Sequence, residues 1–241
     1  MTKLTLVLLP GMDGTGALFE PFIDALQGEF NISIVMYPVN ETLGYAQLEG
    51  IAQTFLPKNE AFVILGESFS GPIAVSIAAS GSENLKALIL CCSFVKNPRP
   101  ILSPVRGLID FLPVALAPIS ALSHLLLGRF STAALRAKLA ESLKKVSSST
   151  LRMRLKAVLD VDASQKITAI KVPVQYLRAS QDVLVPSSAS ALIANLRPTT
   201  HIVELEAPHF LLQAAPAEAA KAISEFVRGV ACAQTHQTAT V

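Results

Sequence analysis

The sequence predicts an α/β chain: a mainly parallel, doubly wound sheet of about six strands, with a helical segment inserted between two of them. Three observations carry this reading. Short apolar runs alternate with stretches of helical periodicity, the order that a parallel sheet with crossover helices requires. The runs are continuously apolar rather than alternating, so their strands are covered on both faces. The alternation stops once, over residues 96–165, where apolar residues recur only at helical spacing.

Strand signals lie at 4–9, 32–37, 62–65, 87–92, 172–177 and 201–205, each β-branched or leucine-rich and most bounded by Gly, Pro or Asn. Helix signals lie between them at 19–26, 45–56, 72–79, 187–195 and 216–228. In the last, Ala219, Ile223 and Phe226 share a face, and Pro216 suits a first helical turn. Within the insertion, Leu135, Leu139 and Leu143 recur at every fourth residue, as do Leu151 and Leu155, followed by Val158 and Leu159. A segment of this kind is expected to sit over the end of the sheet as a cap. Residues 1–230 are then one domain with its cap at 96–165, and 231–241, small and polar, a flexible tail.

Composition narrows the classes. Of 241 residues 51% are apolar and 16% charged, which excludes disorder and predicts a large core or an exposed apolar surface. A net charge of +2 gives no footprint for nucleic acid. Three cysteines, of which Cys91 and Cys92 are adjacent in an apolar run and Cys232 lies near the end, read as reduced thiols rather than a disulfide framework. The opening residues lack a small-residue cleavage site before Pro10-Gly11, so they read as a buried first strand of a cytoplasmic protein. The apolar stretch 111–127 is short for a spanning helix and is broken by Pro113, Pro118, Ser120, Ser123 and His124.

The strongest local signal is Gly66-Glu67-Ser68-Phe69-Ser70-Gly71, directly after a strand and before a helix. A serine on so sharp a turn is lifted off the sheet, and the helix N-terminus behind it favours developing negative charge. Its hydroxyl needs a base. Of four histidines, His124 lies in the cap, His201 opens a strand and His236 is in the tail, whereas His209 follows the last strand, where an open α/β sheet builds its site. Asp182 follows the strand at 172–177 and falls between Ser68 and His209 in the chain, the order Ser, Asp, His; Asp160 and Asp162 are rivals that finish a cap helix. The backbone N–H of Phe69 and that of Met12, in Leu9-Pro10-Gly11-Met12-Asp13-Gly14-Thr15-Gly16, are the expected oxyanion donors. The glycine spacing of that loop is neither a dinucleotide fingerprint nor a phosphate loop.

These four pieces, in this order, resemble the α/β-hydrolase superfamily over almost the whole chain. The Leu-Leu-Pro-Gly-Met-Asp-Gly-Thr-Gly opening and the Gly-Glu-Ser-Phe-Ser-Gly elbow are similar to its esterase, lipase and thioesterase-like branch. The resemblance implies Ser68 as nucleophile, His209 as base and Asp182 as its partner, with no metal or cofactor. The sequence departs from the family in Pro10, where many members have histidine, in Ser70, in place of the elbow glycine, and in lacking the opening antiparallel strand pair.

The cap is apolar and basic. Leu108, Phe111, Leu112, Leu122 and Leu126 are candidates for an acyl tunnel, with packing of the cap onto the body as the alternative. Between Arg129 and Lys156 stand eight basic residues and one acid, Glu141. Arg136, Lys144, Arg152 and Lys156 are candidate contacts for an acyl carrier protein, an acyl-CoA or an anionic membrane surface, against a solvated helix face. The expected chemistry is hydrolysis of an ester or thioester through an acyl-enzyme on Ser68. The alternatives are an acyltransferase using the same residues and a non-catalytic binder of a hydrophobic ligand.

Overall fold

Continuous apolar runs become six parallel strands. They are β1 (Thr5–Leu9), β2 (Asn31–Ile34), β3 (Phe62–Glu67), β4 (Leu85–Cys91), β5 (Val174–Ala179) and β6 (His201–Leu205), in the order β2-β1-β3-β4-β5-β6. The computed structural model describes residues 3–114 and 117–238. Leu6, Val7, Leu8 and Leu9 of β1, and Val63, Ile64 and Leu65 of β3, are fully buried, as strands covered on both faces must be.

Helices α1 (Glu20–Ala25), α9 (Leu211–Ala214) and α10 (Pro216–Thr238) close one face, around Phe22, Leu211 and Ile223. Helices α2 (Tyr45–Thr54), α3 (Gly71–Ala79), α7 (Ser164–Ala169) and α8 (Ser187–Leu196) close the other, around Leu48, Ile73, Ile167 and Ile193. From β1 the chain steps outward to β2, then returns to β3 and onward to β6. The sheet therefore reverses direction between β1 and β3, and a crevice opens at the carboxyl ends of those two strands.

Between β4 and β5 the cap is a 3-10 segment (Pro100–Phe111) followed by α4 (Ile119–Leu127), α5 (Ala133–Lys144) and α6 (Ser148–Asp160). Its two ends are tied together. Lys96 bridges Asp162, the Asn97 N–H donates to the Val161 carbonyl at 3.0 Å, and the Ala163 N–H donates to that of Val95 at 2.6 Å. Among the described residues no helix is long and apolar enough to cross a membrane.

Most strand bounds shift by one or two residues from the sequence reading, and two differences are larger. The second strand ends at Ile34 rather than at residue 37, because the Tyr37 N–H leaves the ladder to bond the Gly14 carbonyl at 2.9 Å. The last helix passes Gly229 and reaches Thr238: one glycine costs a helix about 1 kcal/mol, and Val230 is 92% buried against the core beyond it (8% exposed).

Candidate active site

Ser68 sits where β3 meets the 3-10 turn Ser68–Ser70 that leads into α3, with φ +46°. A non-glycine residue there is strained by about 1–3 kcal/mol, and the surroundings must over-determine it. They do so by close packing. A side chain at Gly66 would place its Cβ 2.8 Å from that of Ala74, and one at Gly71 would sit 1.8 Å from Ser93 Oγ. The Ser93 hydroxyl donates to the Ser68 carbonyl at 2.5 Å, and Ser93 is itself held by Tyr176, whose hydroxyl donates to the Ser93 carbonyl at 2.7 Å.

Ser70 stands in right-handed helical backbone, φ −84°, so nothing there demands glycine. Its hydroxyl donates to the Pro10 carbonyl and meets the Tyr37 hydroxyl at 3.0 Å. The glycine that the turn needs is Gly71, one place later. Ser70 instead ties the elbow to the loop after β1.

Ser68, His209 and Asp182 form one hydrogen-bonded chain. Ser68 Oγ is 2.8 Å from His209 Nε2, and His209 Nδ1 is 2.8 Å from Asp182 Oδ2. The Asp182 carboxylate only accepts, so Nδ1 carries the imidazole proton and Nε2 is free to take that of the serine. The other oxygen of Asp182 accepts from the N–H groups of Leu184 and Val185 at 2.8 and 2.9 Å. The side chains of both His209 and Asp182 are only 5% exposed. The rivals lie elsewhere: Asp160 is bound by Arg106, and Asp162 by Lys96.

No protein-family model matches the chain. Phytyl ester synthase 1, a chloroplastic protein of Arabidopsis thaliana, is 28% identical over 220 residues; the match takes in 78% of this chain and 31% of that protein, so the chain spans about a third of its length. Solved structures match far more completely. A hydrolase from Oleispira antarctica superposes with a TM-score of 0.81 over 95% of this chain and 92% of that one, at 15% identity. A lipase-esterase related protein from Clostridium acetobutylicum gives 0.78 over 93% and 95%, at 16% identity. The enol-lactonase of Burkholderia xenovorans gives 0.74 over 95% and 92%, at 16% identity.

The chain has the α/β-hydrolase fold. The loop Leu9–Gly16 is tied to the Ser68 turn through Ser70 and Pro10, and its shape is held from the cap. Arg154 of α6, 1% exposed, donates Nη1 to the carbonyls of Met12 and Asp13 at 2.7 and 2.9 Å, and Nη2 to that of Pro38 at 2.9 Å. Its burial lowers the guanidinium pKa from its usual value. Gly14 makes room for it, since a Cβ there would lie 2.6 Å from Nη1. Asp13 is gripped by Ser142 of α5 and by Thr15, at 2.7 and 3.0 Å from the Ser142 hydroxyl and the Thr15 N–H. With its carbonyl drawn toward Arg154, Met12 is fixed in orientation. The Phe69 N–H opens the 3-10 turn, where helical donors have no partner within the helix.

A buried carboxyl lies beside Ser68. Glu67, 5% exposed, accepts from Gln213 Nε2 at 2.9 Å, and burial pushes its pKa up to about 7. Sequence reading passed over Glu67, Gln213 and Arg154. For Arg154 the sequence offered no signal: the periodic leucines of the cap suggested a face at 151 and 155, whereas the structure turns Thr150, Arg154 and Ala157 inward.

The cap residues divide. Leu126 reaches the site through its backbone, its carbonyl accepting from the Phe210 N–H at 3.1 Å, and Leu122 is half-buried on the same helix. Leu108, Phe111 and Leu112 lie on the outside, 60%, 82% and 42% exposed. Of the basic candidates, Arg152 donates to the Leu112 carbonyl at 2.9 and 2.8 Å, and Lys156 pairs with Asp110 at 2.6 Å. Arg136 reaches the Ser131 hydroxyl at 3.2 Å, and Lys144 is exposed near the end of α5.

Proposed function

We propose that the chain is a serine hydrolase that cleaves carboxylic esters or thioesters of an apolar acyl group. The observation that carries this is the Ser68–His209–Asp182 chain, with 2.8 Å at each link, set at the carboxyl end of β3. His209 removes the Ser68 proton as the oxygen attacks the carbonyl. The N–H groups of Phe69 and Met12 take the oxyanion. His209 then protonates the leaving alcohol or thiol, and water repeats the cycle on the acyl-enzyme. Asp182 holds the imidazole in the required tautomer and stabilises its charged form. The resemblance to a phytyl ester synthase supports ester chemistry and favours a second reading, in which an alcohol replaces water in the second step.

The test is turnover of p-nitrophenyl esters of increasing acyl length, with and without a long-chain alcohol, by the wild type and Ser68→Ala. The wild type is expected to form an acyl-enzyme and the variant to lose about 10⁴-fold or more in kcat while keeping its fold. Ester product in place of free acid would select the transferase reading. Equal rates in both proteins would remove Ser68 from the chemistry.

A further inference from the structure

The segment Pro100–Phe111 exposes a row of apolar side chains. In a 3-10 helix, with three residues per turn, positions three apart lie above one another. Leu102, Val105, Leu108 and Phe111 form one such row, 46%, 44%, 60% and 82% exposed. At about 2 Å per residue this row is about 18 Å long. The two charged side chains of the segment turn onto α6 instead. Arg106 Nε donates to both oxygens of Asp160 at 2.6 and 2.9 Å, and Asp110 accepts from Lys156 at 2.6 Å. Only Ile109 is buried. Both ion pairs stand at the surface beside the row, and Ile101, 84% exposed, extends its apolar side.

Both ends of the row carry uncancelled positive charge. Arg99, which precedes the segment, donates to the carbonyls of Val183 and Leu184, and Arg152 donates to the carbonyl of Leu112. Their partners are neutral oxygens, so their charge remains. We propose that this row seats the protein on an anionic phospholipid bilayer, with the apolar side chains at the boundary of headgroups and acyl chains and the two arginines against lipid phosphates. A second copy of the chain fits less well, because pairing the faces would oppose like-charged rims. The purpose of the seat, delivery of apolar esters from the membrane, rests on the reading of Ser68 given above; the binding does not.

The chain has no tryptophan, so Phe111→Trp puts a single reporter in the row. Vesicles of phosphatidylcholine with phosphatidylglycerol are expected to shift its emission to the blue and to carry the protein down on sedimentation. Ile101→Ser and Leu108→Ser should each weaken partitioning about tenfold, and salt or removal of phosphatidylglycerol should weaken it several-fold. Absence of a shift, partitioning indifferent to both serine changes, or equal affinity for pure phosphatidylcholine would each overturn the proposal. So would a dimer in sedimentation velocity that Leu108→Ser dissociates. Ser68→Ala should bind vesicles as the wild type does. Loss of docking with p-nitrophenyl ester turnover intact would sink the membrane seat alone, whereas docking without turnover would sink the reading of Ser68 alone.

Discussion

In the sheet, Leu8 and Ile64, on opposite faces, are fully buried among apolar side chains; in the cap, Arg154 is 1% exposed while Phe111 is 82% exposed. The first arrangement follows from the hydrophobic effect, which removes apolar area from water. The second does not. Arg154 is inside because the loops after β1 and β2 leave the carbonyls of Met12, Asp13 and Pro38 in need of donors away from water. The difference separates two kinds of constraint. Residues of the body answer to folding, and the exceptions in the cap answer to the shape of a loop and to a surface.

That division can be broken most directly at Arg154. Arg154→Met keeps length and apolar bulk but leaves those carbonyls unpaired. It should cost about 3–5 kcal/mol in urea unfolding and, under the proposed mechanism, lower kcat about 100-fold with little change in KM, because a displaced Met12 N–H misses the oxyanion. A variant of near wild-type stability and rate would show that the loop holds its own shape and that the cap is merely packed on it.

The body has its own exception, Glu67, and pH sharpens the comparison there. Its carboxyl rises from 4.5 in the open chain to about 7 because burial disfavours its charged form. The folded state therefore binds this proton more tightly than the unfolded chain does. Its contribution is fully present below about pH 4.5 and is lost as the pH climbs through about 7. Between those limits the wild type should lose on the order of 2–3 kcal/mol relative to Glu67→Gln, which carries no titrating group. Unfolding by urea at a series of pH values in both proteins measures it. Parallel curves would mean that Glu67 is as ionised in the folded protein as in the open chain.

Legibility in the sequence followed the same division. The inner strands β1 and β3 were marked by continuous apolar runs, because burial on both faces leaves no other pattern, whereas the edge strands β2 and β6 are only partly buried. The elbow was visible because Gly66 and Gly71 answer to contacts under 3 Å that few other residues tolerate. Asp182 and His209 were found by their places after β5 and β6, and the structure brings both to Ser68. Ser70 read as a departure because spacing assigns glycine to its position, whereas its backbone is helical and the steric demand falls on Gly71. Arg154 stayed hidden because a buried arginine and a surface arginine look alike in a basic helix, and only the partners, more than 100 positions away, tell them apart. Leu108 and Phe111 read as lining for a tunnel because apolar residues are assumed to face inward, and in the 3-10 segment they face out.

The smallest effect tests that last point. If the row Leu102–Phe111 exists for a surface and not for the fold, then Phe111→Ser should change stability by no more than about 0.5 kcal/mol, the range of substitutions that touch nothing. A buried phenylalanine truncated in a core would cost about 3–5 kcal/mol. Thermal and urea unfolding of Phe111→Ser beside Phe22→Ala, whose ring is fully buried under α1, sets the two regions in one experiment. A loss of more than about 1 kcal/mol at Phe111 would mean that the ring packs against the protein in solution, and the exposed apolar row of the cap would fall with it.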